Sequence, residues 1–306
     1  MSEHTFSEHS IKVNGLDIAY QRHGESSAPA LVLIHGLSTP LTGWPRPMFE
    51  GLVVAGFQLL LMDNRDIGRS EQLNHLPLPN MLWSLLKLKM GLPIKAPYQL
   101  DDMMQDVLAL LDALNLSKVH VIGASMGGMI AQLLAIHHPE RVSTLTSIMS
   151  TTGDKTLPPM NKDIRQALGQ KPAVADYAAR QAYHIKKWQL IGSPDYPASD
   201  AYLQDYVDSM LQRGITAKGT LRQMLAIMAA DSRAEALAGL RVPTLVIHGD
   251  RDGLVNIAGG RATAAAIPKA ALKIYPGMGH DLPVELIPML VQDIAGHVNS
   301  NLSEQR

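Results

Sequence analysis

The sequence predicts an α/β fold: a mostly parallel, doubly wound sheet of about eight strands, with a helical cap inserted into it. Three observations lead there. Short apolar runs alternate with helical patterns, the signature of a layered α/β domain. The central runs are continuous rather than alternating, as strands buried on both faces require. Residues 154–236 interrupt the alternation with helical patterns alone.

Taken in order, the apolar runs are Ile18–Tyr20, Leu31–Ile34, Phe57–Met62, Val119–Ile122, Leu145–Met149, Thr244–Ile247 and Leu272–Tyr275, each bounded by Gly, Pro or Asn. Between them, Asp101–Leu114 places Met103, Val107, Leu110, Leu111 and Leu114 on one helical face. Asp102 and Gln105 resemble a capping box at its start. Met129–Ile136 reads as a second, more apolar helix, with Pro139 stopping it. The Ala-, Gln- and Met-rich stretch 154–236 is punctuated by Pro158, Pro159, Pro172, Pro194 and Pro197. It divides the chain into a core of residues 1–153 and 237–306 and a cap of 154–236. Asn80–Leu92 carries Met81, Leu82, Trp83, Leu85, Leu86, Leu88 and Met90 with only two lysines. It reads as a helix packed on core or cap, with an exposed lip at the site entrance or a subunit contact as the rival reading.

Composition excludes several function classes. A chain of 306 residues can bury roughly three quarters of its surface without staples. Lys+Arg 27 against Asp+Glu 28 leaves a net charge of -1, so nothing draws it electrostatically to nucleic acid or an acidic membrane. Charge this near zero permits self-association without specifying it. With no cysteine, disulfides, thiolate metal sites and Cys nucleophiles are out. Met1–Ser10 is polar and no run reaches the ~18 apolar residues of a membrane span, so a soluble cytoplasmic protein is expected. No close ligand spacing such as H-E-x-x-H is present, and neither a metal nor a cofactor is expected.

The chemistry is predicted at loops that follow strands. Gly123-Ala124-Ser125-Met126-Gly127 lies between a strand and a helix, the context of a nucleophile elbow. So sharp a turn strains the serine backbone and requires nearly side-chain-free neighbours two before and two after, which Gly123 and Gly127 supply. The helix N-terminus beneath Ser125 favours developing negative charge. The rival reading is a Gly-rich turn with an inert serine.

A serine needs a base, and twelve histidines compete. His280, in Pro276-Gly277-Met278-Gly279-His280 after a strand, is best placed. His137 and His138 end a helix and read as structural. His248 reads as buried and satisfied, and His4, His9 and His75 as solvated. The base needs a carboxylate to orient it. Asp250 and Asp252 both follow the strand Thr244–Ile247. Asp250 sits where the turn begins and suits loop amides. Asp252, deeper in the loop, is favoured. The order Ser125, Asp252, His280 is that of an α/β-hydrolase. Gly36, in His35-Gly36-Leu37-Ser38 after Leu31–Ile34, lets the backbone approach. The amides of Leu37 and Met126 are the expected oxyanion donors. His35 is a rival catalytic histidine, but it breaks the chain order.

With these residues in place, the sequence resembles the α/β-hydrolase superfamily over nearly all its length. Asp63-Asn64-Arg65-Asp66-Ile67-Gly68-Arg69-Ser70 resembles the family's D-x-R-G-x-G-x-S loop, with Asp66 in place of the usual glycine. That variant, Gly43-Trp44-Pro45 and the Pro-Gly-Met-Gly-His run are similar to the aclacinomycin methylesterases, with 3-oxoadipate enol-lactonases as a neighbouring likeness. The resemblance implies a cap after the sixth strand. The expected function is a cofactor-independent serine hydrolase of small to medium, partly apolar carboxylic esters. The rivals are a carbon–carbon bond hydrolase or a perhydrolase with the same triad, and a non-enzymatic ligand receptor on the same scaffold. A Met- and Leu-rich cap suggests an apolar, adaptable pocket between the sheet's carboxyl edge and the cap.

Overall fold

The computed structural model describes residues 8–78, 80–168 and 176–303. His4 and Pro172 lie outside them. The strands are β1 Glu8–Val13, β2 Leu16–His23, β3 Ala30–Ile34, β4 Gln58–Met62, β5 Val119–Ala124, β6 Val142–Ile148, β7 Thr244–Gly249 and β8 Ala271–Tyr275. They form one sheet in the order β1-β2-β4-β3-β5-β6-β7-β8. β1 pairs antiparallel with β2, and β2 with β4; every other pairing is parallel.

The helices are α1 Arg46–Val54, α2 Met81–Lys89, α3 Leu100–Ala113, α4 Met126–His137, α5 Lys162–Leu168, α6 Tyr177–Ile191, α7 Asp200–Gly214, α8 Ala217–Ala229, α9 Ala234–Ala238, α10 Ile257–Ala266 and α11 Ile287–Ser303. α4 begins at Met126, three residues before the Met129 start that the sequence suggested. α3 is capped differently from the expectation. Its N-cap is Gln99, and Asp102 is the third helical residue, accepting the Gln99 N–H at 2.7 Å.

Strands β3 to β6 are buried along their whole length. Their side chains alternate between two cores. Val32 and Ile34 join Val107 and Leu110 of α3 and Ile130 and Leu134 of α4. Leu31 and Leu33 join Met48 and Leu52 of α1 and Leu290 and Ile294 of α11. This two-sided burial is why those runs carry no polar alternation.

β1 escaped the sequence reading because it is a polar edge strand with one buried residue, Val13. Its hairpin turn is Asn14-Gly15, with φ of +49° and +79°, and Val13 pairs with Leu16. Asn-Gly suits such a two-residue turn because both positions need positive φ.

α2 departs from the packed-helix reading. Leu82 is 79% and Trp83 54% exposed, and Leu85, Leu86, Met90 and Leu92 are exposed too. Among the described side chains of α2, Ser84 is the buried one. A segment apolar on every side has no single inward face for burial to select.

Between β6 and β7 the described residues form α5 to α9 and no strand. Val207, Met210 and Leu211 of α7 pack with Ile215 and with Ile67, from the loop after β4, as a small core of their own. Among the described residues no helix is long and apolar enough to cross a membrane.

Candidate active site

Ser125 sits between β5 and α4 with φ +55° and ψ -119°. That left-handed backbone is strained for any residue with a side chain. The flanking glycines make it feasible. A Cβ on Gly123 would stand 2.2 Å from Gly127 O, and one on Gly127 would stand 2.0 Å from Ile34 O. The turn is pinned by Ser125 N–H donating to Ile148 O at 2.9 Å and by Ser150 Oγ donating to Ser125 O at 2.8 Å. The amide of Met126 opens α4, where the helix dipole is positive.

His280 follows β8. Its Nε2 lies 3.1 Å from Ser125 Oγ and its Nδ1 lies 2.7 Å from Asp252 Oδ2. Asp252 Oδ1 accepts the N–H groups of Leu254 and Val255 at 2.9 and 2.8 Å. Burial alone would raise the Asp252 carboxyl. The His280 imidazole and hydrogen bonds from His248 and His280 outweigh it and hold the group well below the usual carboxylate range. Asp250 points elsewhere, its Oδ1 accepting the Gly277 N–H at 2.7 Å.

The loop after β3 lies against the serine. A Cβ on Gly36 would stand 3.0 Å from Ser125 Cβ and 3.5 Å from its Oγ. Leu37 follows in that loop. His35 is turned away from the chain of three. Its Nδ1 accepts the Gly36 N–H at 2.7 Å and its ring packs 4.7 Å from that of Trp44. Burial pushes its imidazole down to about 4.

The remaining histidines fall into place. His248 is buried, with Nε2 2.9 Å from Val255 O, but its Nδ1 has no partner, so it is only half satisfied. His9 stacks on Tyr20 at 5.3 Å and His75 is exposed. His137 lies 3.6 Å from Asp101 and His138 3.4 Å from Glu140.

A cavity of about 700 Å³ lies behind the His280 loop. Trp188 of α6 and Tyr202 and Tyr206 of α7 line it, together with Arg251, Asp281 and Glu285. No methionine lines it. Its rings come from Trp188, Tyr196, Tyr202 and Tyr206. Among the described residues no group of three or more His, Asp or Glu is placed to hold a metal.

The structure brings Ser125, Asp252, His280, Gly36, Gly123 and Gly127 together at one place. Sequence reasoning missed Ser150, and it missed Thr220 and Gln223 of α8, which reach Ser38. Contacts 25 to 185 residues apart leave no local pattern to read.

Hydrogen-bonded serine, imidazole and carboxylate, ordered along the chain as here, are what nucleophilic acyl transfer requires. The family described as the alpha/beta hydrolase fold matches residues 29–285. The chain belongs to that family. Among curated relatives, rhodomycin D methylesterase of Streptomyces sp. (strain C5) is 26% identical, over 90% of this chain and 93% of its own. The 2-hydroxy-6-oxononadienedioate/2-hydroxy-6-oxononatrienedioate hydrolase of Cupriavidus pinatubonensis is 26% identical, over 83% of this hydrolase-fold chain and 81% of its own. Among solved structures, the enol-lactonase of Burkholderia xenovorans LB400 superimposes with a TM-score of 0.73 at 23% identity, covering 95% of this chain and 100% of that one.

Proposed function

We propose that the protein is a cofactor-independent serine hydrolase of small to medium, partly apolar carboxylic esters. The observation that carries this is the chain Ser125 Oγ, His280, Asp252, with separations of 3.1 and 2.7 Å. Ser125 Oγ attacks the ester carbonyl while His280 Nε2 takes its proton. The proton then goes to the departing alkoxide, which leaves as the alcohol. Asp252 fixes the imidazole tautomer with Nδ1–H toward its carboxylate. The amides of Leu37 and Met126 hold the negative oxygen of the intermediate. Water, deprotonated by His280, attacks the acyl-enzyme and releases the acid.

In this reading residues 154–236 are a cap on a core of residues 1–153 and 237–306. Its support is that α7 and α8 bond to the loops after β3 and β4 through Arg213, Arg222 and Gln223. The test is an organophosphonate probe with a panel of methyl and p-nitrophenyl esters of graded acyl length. Adduct at Ser125, ester turnover, and loss of both in Ser125→Ala support the reading. Labelling at another serine in an active preparation sinks it.

A second reading is carbon–carbon bond hydrolysis by the same residues, favoured by the match to the 2-hydroxy-6-oxononadienedioate/2-hydroxy-6-oxononatrienedioate hydrolase. Turnover of a vinylogous diketone with no ester turnover would decide for it.

A further inference from the structure

We infer that Gln223 and Thr220 of α8 are positioning residues for the Leu37 amide, so that the cap governs the rate of the reaction as well as access to it. The inference rests on the assignment of Ser125, His280 and the oxyanion amides above.

The argument starts from Ser38, next in the chain to Leu37. Its φ is +58°. A residue with a side chain keeps that conformation only where its surroundings over-determine it. Here α8 supplies the constraint. Gln223 Oε1 accepts the Ser38 N–H at 2.9 Å, and the hydroxyls of Ser38 and Thr220 share a hydrogen bond of 2.7 Å. The other end of the same amide, Gln223 Nε2, donates to Arg65 O at 2.8 Å. One side chain thus ties the loop after β3 to the loop after β4. From the far side, Asn64 Nδ2 donates to His35 O at 3.0 Å. Gln223 is fully buried and Ser38, Asn64 and Arg65 are buried with it, so no water replaces these bonds. The neighbouring Arg222 fixes α8 in turn, gripping both oxygens of Asp66.

The peptide carrying the Leu37 N–H is therefore held between Gly36, pressed against Ser125, and Ser38, clamped by α8. An oxyanion donor works within a narrow range, about 2.7–3.1 Å from where the charge will sit. Misplacement by about 1 Å costs on the order of 10²-fold. A clamp on the very next peptide is well placed to set that distance. Nothing in this needs the cap residues to touch substrate. It also explains why a glutamine, which both donates and accepts, occupies a fully buried position.

A purely structural Gln223 would glue the cap to the core without affecting chemistry, and the experiment separates the two roles. The readouts are the rate at which an organophosphonate labels Ser125, kcat and KM for a small acetate ester, and Tm. The phosphoryl oxygen of the probe occupies the oxyanion position, so labelling reports that site directly. The variants are Gln223→Met, Gln223→Glu and Thr220→Val, with Leu211→Ala as a destabilised cap control away from Ser38. In Gln223→Met, kcat and the labelling rate should fall together by about 10- to 100-fold, with KM within about threefold. Gln223→Glu restores an acceptor for the Ser38 N–H and should recover part of the loss. Leu211→Ala should lower Tm yet label at the wild-type rate. If Gln223→Met labels and turns over like Leu211→Ala, the inference is overturned. Should Gln223→Met not fold, Thr220→Val decides it: a several-fold slower labelling rate supports the clamp and an unchanged one removes it. A wild-type protein that never labels at Ser125 overturns the assignment beneath, and the inference falls with it.

Discussion

Asp252 Oδ2 lies 2.7 Å from His280 Nδ1, while Asp250, two residues earlier, turns its Oδ1 to the Gly277 N–H at the same distance. The two carboxylates of one loop thus divide the work. One orients the imidazole and the other braces the loop that carries it. Asp252→Asn should lower kcat by on the order of 10⁴, because the amide favours the wrong imidazole tautomer. Asp250→Asn keeps an oxygen to accept the Gly277 N–H and should cost far less. Steady-state kinetics on p-nitrophenyl acetate check this. The reverse ordering would move the orienting role to Asp250.

The elbow was legible in the sequence because its constraint is local and steric: Gly123 and Gly127 leave no room for a Cβ, and both lie within two residues of Ser125. The assignment of Asp252 over Asp250 came from position in a turn, which is also local. β1 was harder, since an exposed edge strand needs no apolar alternation, although Asn14-Gly15 marked its turn. The exposure of α2 could not be read from residues apolar on every side. The clamp on Ser38 was invisible because Gln223 lies 185 residues away and only the folded chain brings them together. Equally hidden was the partner of Asp66. The sequence flagged it as an acid where the family carries glycine, but nothing nearby pointed to Arg222.

That pair yields a second prediction. Arg222 Nε and Nη2 bond Asp66 Oδ2 and Oδ1 at 2.7 and 2.6 Å, with neither side chain exposed. Asp66 has φ +68°, so glycine would relieve some backbone strain. The loss of charge matters more. Asp66→Gly strands a buried guanidinium, and breaking one side of such a pair costs about 3–5 kcal/mol, against about 1–2 kcal/mol of backbone relief. Urea unfolding should therefore show Asp66→Gly to be destabilised, even though glycine is the residue the family's loop usually has there. Removing both charges, in Asp66→Gly with Arg222→Met, should recover most of the loss. A single variant as stable as wild type would show that the pair contributes nothing.

Stability should also fall on mild acidification. Burial, first of all, pushes the His35 and His120 imidazoles down to about 4, from an ordinary value of 6.5. Between those values the unfolded chain holds a proton at each site that the folded chain lacks. The stabilisation is therefore complete above pH 6.5 and is lost as pH falls toward 4. Each group contributes a slope on the order of 1.4 kcal/mol per pH unit inside that window. His120 lies away from Ser125, with Nδ1 2.9 Å from Thr144 Oγ1, and so offers a clean test. Urea unfolding of wild type and His120→Gln at pH 7.5, 6.5, 5.5 and 4.5 should show a shallower decline in the variant. Parallel curves would assign the acid sensitivity to other groups.

The last prediction corrects what the sequence suggested about cap methionines. If the Met- and Leu-rich stretch walls an apolar pocket, Met210 is a candidate to touch substrate, and Met210→Ala would shift chain-length preference. The structure buries Met210 within α7 instead, 1% exposed and packed with Val207, Leu211, Ile215 and Ile67. It is absent from the lining of the cavity behind the His280 loop. Truncating such a residue removes buried methylenes and leaves a void, which together cost about 2–5 kcal/mol. Met210→Ala should therefore lower the urea midpoint, while each folded molecule keeps its preference. The measurement is kcat/KM for an acetate and for a longer ester, corrected for the folded fraction. The ratio of the two should match wild type, because a methylene is discriminated only by a wall that touches it, at about 1–3 kcal/mol each. A tenfold change in that ratio with stability intact would place Met210 against the substrate and contradict the packing described above.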